Sequence, residues 1–215
     1  FWFLGRERPA LMQALAVGRE RSFRAAGEGT GRPEDRDAYD ERYTQLLLWD
    51  REHQAVAGGY RAAIAREQWQ QHGPKALYCS SLFDLDAPLR QTLDQALELG
   101  RSYIAGPWQR HPLALLLLWR ALGAYALRIA DCRSLFGCVS LSPSFGSVTQ
   151  RLLLRFLTRY HGDDGSRGRA QARHGIGRLL HGSAPEPADL RGLERWVRIL
   201  EQGRLGVPPL VKHYT

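Results

Sequence analysis

Apolar and polar positions follow recognisable periods along most of the chain. Leu11, Met12 and Leu15 recur at helical spacing after Pro9, and this pattern predicts a helix that ends near residue 25. Two apolar-rich runs, residues 44–49 and 55–63, flank a short polar turn. They predict a pair of antiparallel strands.

The same patterns predict further strands and helices in alternation. The predicted strands are 77–83, 97–104 and 134–142, and the predicted helices lie within 64–76, 84–98, 112–128 and 190–200 and begin again at Phe145. Residues 161–187 are rich in Gly, Arg, Ser and Pro and are predicted to be mobile. Residues 206–214 are predicted to form a loop that enters another strand. The order of elements indicates one α/β domain over 1–215 with a mixed sheet.

The centre of the pattern is a strand, a tight turn and a long apolar helix. Glu98 lies on the strand between apolar neighbours, and Pro112 suits the first position of the helix. Unpaired N–H groups at the start of such a helix favour an anion. A carboxylate beside this arrangement is typical of acyl-transfer sites, but Glu98 could equally be a strand residue that faces solvent.

Composition limits the partners and the chemistry. A net charge of +8, carried mostly by arginine, favours an anionic partner such as nucleic acid, an acidic protein or anionic lipid. No nucleic-acid motif accompanies the charge. The three cysteines form no CxxC pair and the seven histidines lack ligand spacing, so we expect structural thiols in a reducing compartment and no metal site. The apolar runs 113–119 and 121–127 are too short to span a membrane.

Seven blocks, in order, resemble one protein family. They are G-R-E-R-S-F-R-A-A-G-E-G-T-G at 18–31, Y-D-E-R-Y at 39–43, L-L-L-W-D at 46–50, G-G-Y-R at 58–61, Y-C-S-S-L-F-D at 78–84, L-E-L-G-R-S-Y-I at 97–104 and L-F-G-C-V-S-L-S at 135–142. The set resembles the hemolysin-like, acyl-carrier-protein-dependent branch of the GNAT acyltransferases. That branch includes the N-acyltransferases of ornithine and glycine lipid synthesis and is distantly similar to acyl-homoserine-lactone synthases.

The resemblance implies a GNAT fold, a mostly antiparallel mixed sheet flanked by helices. It also implies transfer of a 3-hydroxyacyl group from the phosphopantetheine thioester of acyl carrier protein to the α-amino group of an amino acid such as ornithine or glycine. The product would be a lyso-aminolipid. No bound cofactor is expected, and the location would be cytoplasmic, with a possible peripheral contact with an anionic membrane.

The resemblance and the pattern of charge together give the candidate residues. Glu98 is the expected base, and Arg101, three residues further on, is expected to point to the opposite face, where it would orient a loop or meet the carrier protein. The candidate substrate-binding residues are Glu28, Thr30, Arg61, Ser80, Ser81, Trp108, Gln109, Arg110 and Ser140. The candidate carrier-docking residues are Arg19, Arg21, Arg24, Arg151, Arg155 and Arg159, although such arginines could also form only a solvated face.

The sequence departs from the family pattern at two places. No histidine has an aspartate five positions later, so the H-x4-D signature of a lysophospholipid acyltransferase domain is absent. Residues 108–110 are bulky where related transferases carry a glycine-rich pyrophosphate loop, which argues against coenzyme A as donor. Because the chain begins at Phe1, we interpret it as a domain excised from a longer protein. A non-catalytic module that binds acyl carrier protein or lipid is the alternative.

Overall fold

The computed structural model describes residues 1–173 and 185–214. The described strands are β1 (Trp2–Leu4), β2 (Thr44–Asp50), β3 (Ala55–Ile64), β4 (Phe83–Leu85), β5 (Ala96–Ile104), β6 (Ser134–Gly137) and β7 (Ala170–Ala172). The described α-helices are α1 (Pro9–Ala25), α2 (Ala65–His72), α3 (Cys79–Leu82), α4 (Ala87–Leu93), α5 (Ala114–Ala126), α6 (Ser147–His161), α7 (Leu190–Leu200) and α8 (Pro209–Tyr214).

The chain divides into two compact units. The first comprises Phe1–Ser81 and Arg90–Cys138, and the second comprises Leu82–Leu89 and Val139–Thr215. The first unit contains a sheet with the strand order β1-β2-β3-β5-β6. All neighbours in it are antiparallel except β5 and β6, which are parallel. The predicted α/β class with a mostly antiparallel mixed sheet is therefore confirmed.

Helices cover the two faces of this sheet. On one face, Met12 and Leu15 of α1 pack in a buried cluster with Leu47 and Tyr103. On the other, Leu118 and Leu122 of α5 pack against strand residues such as Leu46, Leu97 and Leu99. Burying each of these leucines stabilises the fold by about 1.5–3 kcal/mol. The apolar periodicity of α1 and α5 thus places β5 between two packed layers.

An irregularity interrupts β5 at its middle. Arg61 of β3 pairs with Gly100, whereas Gly59, two residues earlier, pairs with Tyr103, so β5 has one residue more than its partner between these pairs. Arg101 takes a positive φ of 52° at this bulge. Gly59 itself accommodates a close approach, since a Cβ there would lie 2.8 Å from a methyl carbon of Leu15. The Gly58-Gly59 pair predicts a bulge or a close backbone approach, and the structure contains both: the β2–β3 register shifts next to Gly58, and a Cβ on Gly58 would lie 2.7 Å from the Tyr103 carbonyl oxygen.

The second unit has its own core. Leu152 and Phe156 of α6 pack with Leu193 and Val197 of α7 in one buried cluster. A short antiparallel ladder joins β4 to β7. The predicted helices from Phe145 and over 190–200 are confirmed, as are the earlier hairpin and the helix over 112–128, within a few residues at each end.

Three predicted elements differ from the structure. Residues 79–82 of the predicted strand 77–83 form α3 instead, because the Glu98 carboxylate accepts the N–H groups at the start of this helical turn. Residues 209–214 form α8, not a loop, with Val211 buried in the second core. β6 ends at Gly137, before the predicted residue 142. Within the segment predicted to be mobile, 170–172 form β7, and 174–184 lie outside the described residues.

Candidate active site

Glu98 of β5 is a buried carboxylate whose two oxygens both accept hydrogen bonds. Its side chain is 1% exposed. Oε2 accepts the Tyr43 hydroxyl and the Tyr78 N–H at 3.1 Å, and Oε1 accepts the Cys79 N–H at 2.6 Å. A buried carboxylate needs such donors, because an unpaired one would be strongly destabilising. The interpretation of Glu98 as a strand residue that faces solvent is therefore wrong.

Tyr43 joins Glu98 to the start of α3. Its hydroxyl donates to Glu98 and accepts the Tyr78 N–H at 3.0 Å. Burial and the negative charge of Glu98 raise the pKa of Tyr43 far above its ordinary value, so the phenol stays protonated and remains a donor. Sequence reasoning missed both tyrosines as site residues, although they lie in two of the blocks that carry the family resemblance.

Arg101 lies on the same side of the sheet as Glu98. Its guanidinium pairs with Asp35 at 2.9 Å and Asp37 at 3.2 Å, and Nη1 donates to the Tyr78 hydroxyl at 3.4 Å. The prediction that it points to the opposite face is wrong, because the extra residue of the β5 bulge reverses the alternation of side chains. Its contacts with the 35–37 segment agree with the predicted role of orienting a loop.

Arg61 occupies the centre of this side of the sheet. The buried guanidinium donates through Nη1 to Asp37 at 2.6 Å and to Asp40 at 3.2 Å. It also lies 5.3–5.6 Å from the centroids of three tyrosine rings, those of Tyr39, Tyr43 and Tyr78. Nε and Nη2 have no hydrogen-bond partner among the described residues. Arg61 therefore connects the acidic 35–40 segment to the aromatic side chains beside Glu98.

Asp40 neutralises two buried arginines. Its Oδ1 accepts from Arg19 at 2.7 Å and from Arg61 at 3.2 Å. Burial alone would raise the pKa of Asp40, but the two guanidinium charges outweigh it and lower the pKa. Arg19 also donates to Gln45. Arg19 is thus an internal ion-pair partner, and its predicted role as a surface dock for a carrier protein is wrong.

The glycine-rich loop after α1 is held by hydrogen bonds to the Glu20 carboxylate. Thr30 donates to Oε2 of Glu20 through both its N–H, at 2.9 Å, and its hydroxyl, at 2.7 Å, and the Gly31 N–H donates to Oε1. The Thr30 hydroxyl above all lowers the pKa of Glu20, to about 2, against the opposing effect of burial. Thr30 therefore shapes this loop, and Glu28 is half-buried in it.

The candidate residues of α3 are two serines, and those of the turn after β5 are residues 108–110. Ser80 is buried, and its hydroxyl has no hydrogen-bond partner among the described residues, whereas the Ser81 hydroxyl donates to the Tyr78 carbonyl. Trp108 donates from Nε1 to Asp50 at 2.7 Å, and Gln109 donates to the Ile104 carbonyl. Arg110 is exposed. The Trp108–Asp50 hydrogen bond thus links this turn to the β2–β3 hairpin.

The remaining candidate residues are two arginines of α1, three arginines of α6 and Ser140. Arg21 is exposed, and Arg24 pairs with Glu20 at 2.7 Å with much of its side chain in solvent. Ser140 and the three arginines of α6 belong to the second unit, where Arg151 and Arg155 are half-buried and Arg159 pairs with Glu186 at 2.8 Å. The carrier-docking role of these five arginines stays a prediction.

The edge of β5 is open over half its length. The parallel ladder with β6 runs only from the Ala96–Ser134 pair to the Leu99–Gly137 pair, whereas β5 continues to Ile104. Over residues 100–104, β5 therefore has no strand neighbour on this side among the described residues. Peptide N–H and C=O groups on such an edge can bind an extended ligand that carries amides.

Comparison with known proteins identifies a domain family and three similar enzymes. Residues 19–120 match the acetyltransferase (GNAT) domain family. The chain is 33% identical over 166 residues to the glycine N(alpha)-acyltransferases of Phocaeicola vulgatus and Bacteroides thetaiotaomicron, which covers 72% of this chain and 51% and 49% of those proteins. It is 31% identical over 140 residues to the L-ornithine N(alpha)-acyltransferase of Rhodobacter capsulatus, covering 63% of this chain and 52% of that protein.

The chain spans about half the length of the curated relatives it matches. No solved structure matches it significantly. The mostly antiparallel mixed sheet with helices on both faces agrees with the domain match. Residues 19–120 therefore belong to the acetyltransferase (GNAT) domain family, and the chain is similar to N(alpha)-acyltransferases that carry it.

Proposed function

We propose that the protein transfers a 3-hydroxyacyl group from acyl carrier protein to the α-amino group of an amino acid such as glycine or ornithine. The amine nitrogen attacks the thioester carbonyl, the C–N bond forms, and the C–S bond breaks to release the pantetheine thiol. The nitrogen gives up a proton in this step. The product is an N-acyl amino acid, a lyso-aminolipid.

The observation that carries this proposal is the Glu98 carboxylate on β5. In the proposed reaction Glu98 receives the proton of the amine, directly or through a water molecule, and positioned acid–base groups contribute about 100-fold or more to such steps. The Tyr43 hydroxyl and two backbone N–H groups fix the orientation of the carboxylate. Arg101 acts on this site by holding the 35–37 segment and the Tyr78 ring in place.

The open edge of β5 supports a pantetheine donor. Pantetheine is an extended chain with two amides, and residues 100–104 offer strand-edge groups that could pair with them. The turn that follows is poorly suited to a pyrophosphate. Its 3₁₀ segment, Gly106–Trp108, contains Pro107, and Pro112 precedes α5, so two N–H donors are missing from this stretch. Trp108 is already bonded to Asp50.

These features predict the donor and the product. With glycine or ornithine as acceptor, we expect mass spectrometry to detect the N-acyl amino acid from 3-hydroxyacyl carrier protein, at a kcat/KM at least about 100-fold above that for the matching acyl-coenzyme A. A site built to pair with a ligand's polar groups rejects an imperfect match by about this factor or more. Equal kcat/KM for the two donors would contradict the donor assignment, and hydrolysis without an N-acyl product would contradict the function.

A membrane contact is proposed through the outer face of α5. No helix among the described residues is long and apolar enough to cross a bilayer. Nevertheless, Leu116 on this face is 54% exposed, and Leu127, the residue after α5, is 89% exposed. Arg120 lies one turn after Leu116 on the same exposed face, Arg110 precedes the helix and Arg128 follows it, and residues 101–130 contain no acidic side chain. An exposed apolar face that also carries basic residues suits the boundary of an anionic lipid surface.

The contact can be tested by sedimentation with vesicles. We expect the protein to bind vesicles that contain phosphatidylglycerol more than pure phosphatidylcholine vesicles, and Leu116→Ser with Leu117→Ser to lower this binding by about tenfold. Ile199→Ser, a single apolar-to-serine change at an exposed position of α7, is the control and should bind as the wild type does. Unchanged vesicle binding by the variant with both leucine substitutions would contradict a lipid contact. A wild-type protein that is a dimer in solution and becomes a monomer in this variant would also contradict it, because the face would then be a contact between subunits.

The deep burial of Glu98 favours one alternative, a non-catalytic module that binds acyl carrier protein or lipid. In that case both carboxylate oxygens would serve only to hold β5 and the start of α3 together. The product assay separates the two candidates, because a binding module retains the acylated carrier without forming an N-acyl amino acid.

A further inference from the structure

Two of the three cysteines lie against each other beside Glu98. The sulfur atoms of Cys79, the first residue of α3, and Cys138, the residue after β6, are 3.0 Å apart. Both residues belong to the first unit, and both are free thiols. The proposed transfer reaction uses neither sulfur. The two cysteines are 59 positions apart in sequence, so the sheet has brought together two otherwise independent segments.

The two thiols differ in reactivity. The contact with Cys138 raises the pKa of Cys79, and burial and the negative charge of Glu98 raise it further. The same contact lowers the pKa of Cys138. Cys79 is buried, whereas Cys138 is partly exposed. Because the thiolate is the nucleophile, Cys138 is the cysteine that reacts first with a reagent from solution.

We propose that Cys79 and Cys138 form a reversible disulfide when the protein meets a peroxide or a small-molecule disulfide. With hydrogen peroxide, the Cys138 sulfur attacks one oxygen, and the O–O bond breaks to give a sulfenic acid and water. The Cys79 sulfur then attacks the Cys138 sulfur, the S–S bond forms, and the second oxygen leaves as water. Two thiols lose two protons and two electrons, and one peroxide becomes two water molecules. With oxidised glutathione, the Cys138 sulfur displaces one glutathione thiol to form a mixed disulfide, and the Cys79 sulfur then displaces the second glutathione thiol.

The packing makes this bond accessible at small cost. A disulfide has an S–S distance of about 2.05 Å, so the sulfurs need to approach by about 1 Å. Cys79 lies in a helical turn of four residues, and Cys138 lies just beyond the end of a strand, where backbone can adjust. A dithiol agent such as dithiothreitol reverses the bond by thiol–disulfide exchange.

The disulfide would also act on the proposed active site, and this part of the inference rests on the proposed function. The Cys79 N–H donates to Glu98 Oε1 at 2.6 Å. Fixing Cys79 to the end of β6 would shift this donor relative to the carboxylate. Displacements of about 1 Å near reacting groups can lower a rate by up to about 100-fold. We therefore expect the oxidised protein to be about tenfold or more slower in acyl transfer.

The experiment measures the bond before any activity. The reduced protein is treated with hydrogen peroxide or oxidised glutathione, alkylated and digested, and the peptides are identified by mass spectrometry. Cys132 lies six residues before Cys138 and contacts the Ser134 carbonyl, so Cys132→Ser is the matched control that keeps the pair. We expect a crosslinked Cys79–Cys138 peptide in the wild type and in Cys132→Ser, and none in Cys138→Ser or Cys79→Ala.

Thermal unfolding gives a second readout, independent of variant folding. The crosslink closes a long loop, so oxidation should raise the unfolding midpoint of the wild type by about 5 °C or more, and dithiothreitol should reverse this. A crosslink through Cys132, or free Cys79 and Cys138 after oxidation, would overturn the disulfide. If the bond forms but the transfer rate stays the same, control of the active site is overturned, while N-acyl transfer itself remains established by its product.

Discussion

Glu98→Gln is expected to lower the rate of N-acyl transfer by about 100-fold or more while the protein remains folded. Glutamine keeps the shape of the side chain but cannot take up the proton of the amine. Its amide can also fit the site: the carbonyl oxygen can accept the Cys79 N–H, and the NH₂ group can donate to the Tyr43 oxygen. The Tyr78 N–H then loses its acceptor on residue 98 but keeps the Tyr43 oxygen, 3.0 Å away. The measurements are kcat with saturating amino acid and the unfolding midpoint of each protein.

Tyr43→Phe is the companion variant for this prediction. It keeps the carboxylate and the aromatic ring but removes the hydroxyl that donates to Glu98. We expect a loss of about tenfold in kcat, smaller than that of Glu98→Gln, because the residue that accepts the proton is still present. If Glu98→Gln retains a rate within a few-fold of the wild type across pH, Glu98 is not the proton acceptor and serves only to hold α3.

The sequence predicts the elements in which apolar residues recur at regular spacing along the chain. The apolar spacing of α1 and α5 and the polar turn between β2 and β3 are local signals, and the structure contains all three near the predicted bounds. Glu98 could also be singled out, since a lone carboxylate between apolar strand neighbours needs partners if it is buried. The partners themselves, Tyr43 and the backbone of α3, come from distant positions.

Features that depend on distant contacts were not predictable. The side of the sheet on which Arg101 lies depends on the β5 bulge, and a count of residues along the strand cannot reveal one extra residue. Residues 79–82 look like a strand by composition, but Glu98 stabilises a helical turn there. Arg19 looks like one of several surface arginines, and only the fold brings Asp40 against it. A usable signal was present: residues 34–41 contain five acidic side chains, among them Asp35, Asp37 and Asp40, in a chain with a net charge of +8.

Asp40→Ala is expected to destabilise the fold by about 3–5 kcal/mol, because it leaves the buried Arg19 without its carboxylate and removes one of the two that pair with Arg61. Denaturant unfolding measures this loss. Asp94→Ala is the matched control: Asp94 pairs with Arg66 at 2.7 Å, but both side chains are about 40% exposed. Surface pairs of this kind contribute at most about 1 kcal/mol.

Two further measurements identify the charge pair as the cause. Because the folded pKa of Asp40 is lowered, its contribution to stability is complete above the unfolded value of about 3.9 and is lost as pH falls through the folded pKa. The gap between wild type and Asp40→Ala should therefore narrow in acid. The second measurement adds Arg19→Met to Asp40→Ala, which removes the cation left unpaired. In the Asp40→Ala protein, Arg19→Met should lower the free energy of unfolding by about 1 kcal/mol or more less than it does in the wild type. Strictly additive losses and a gap that stays constant from neutral pH to about pH 2 would mean that Asp40 acts through packing and not through its charge.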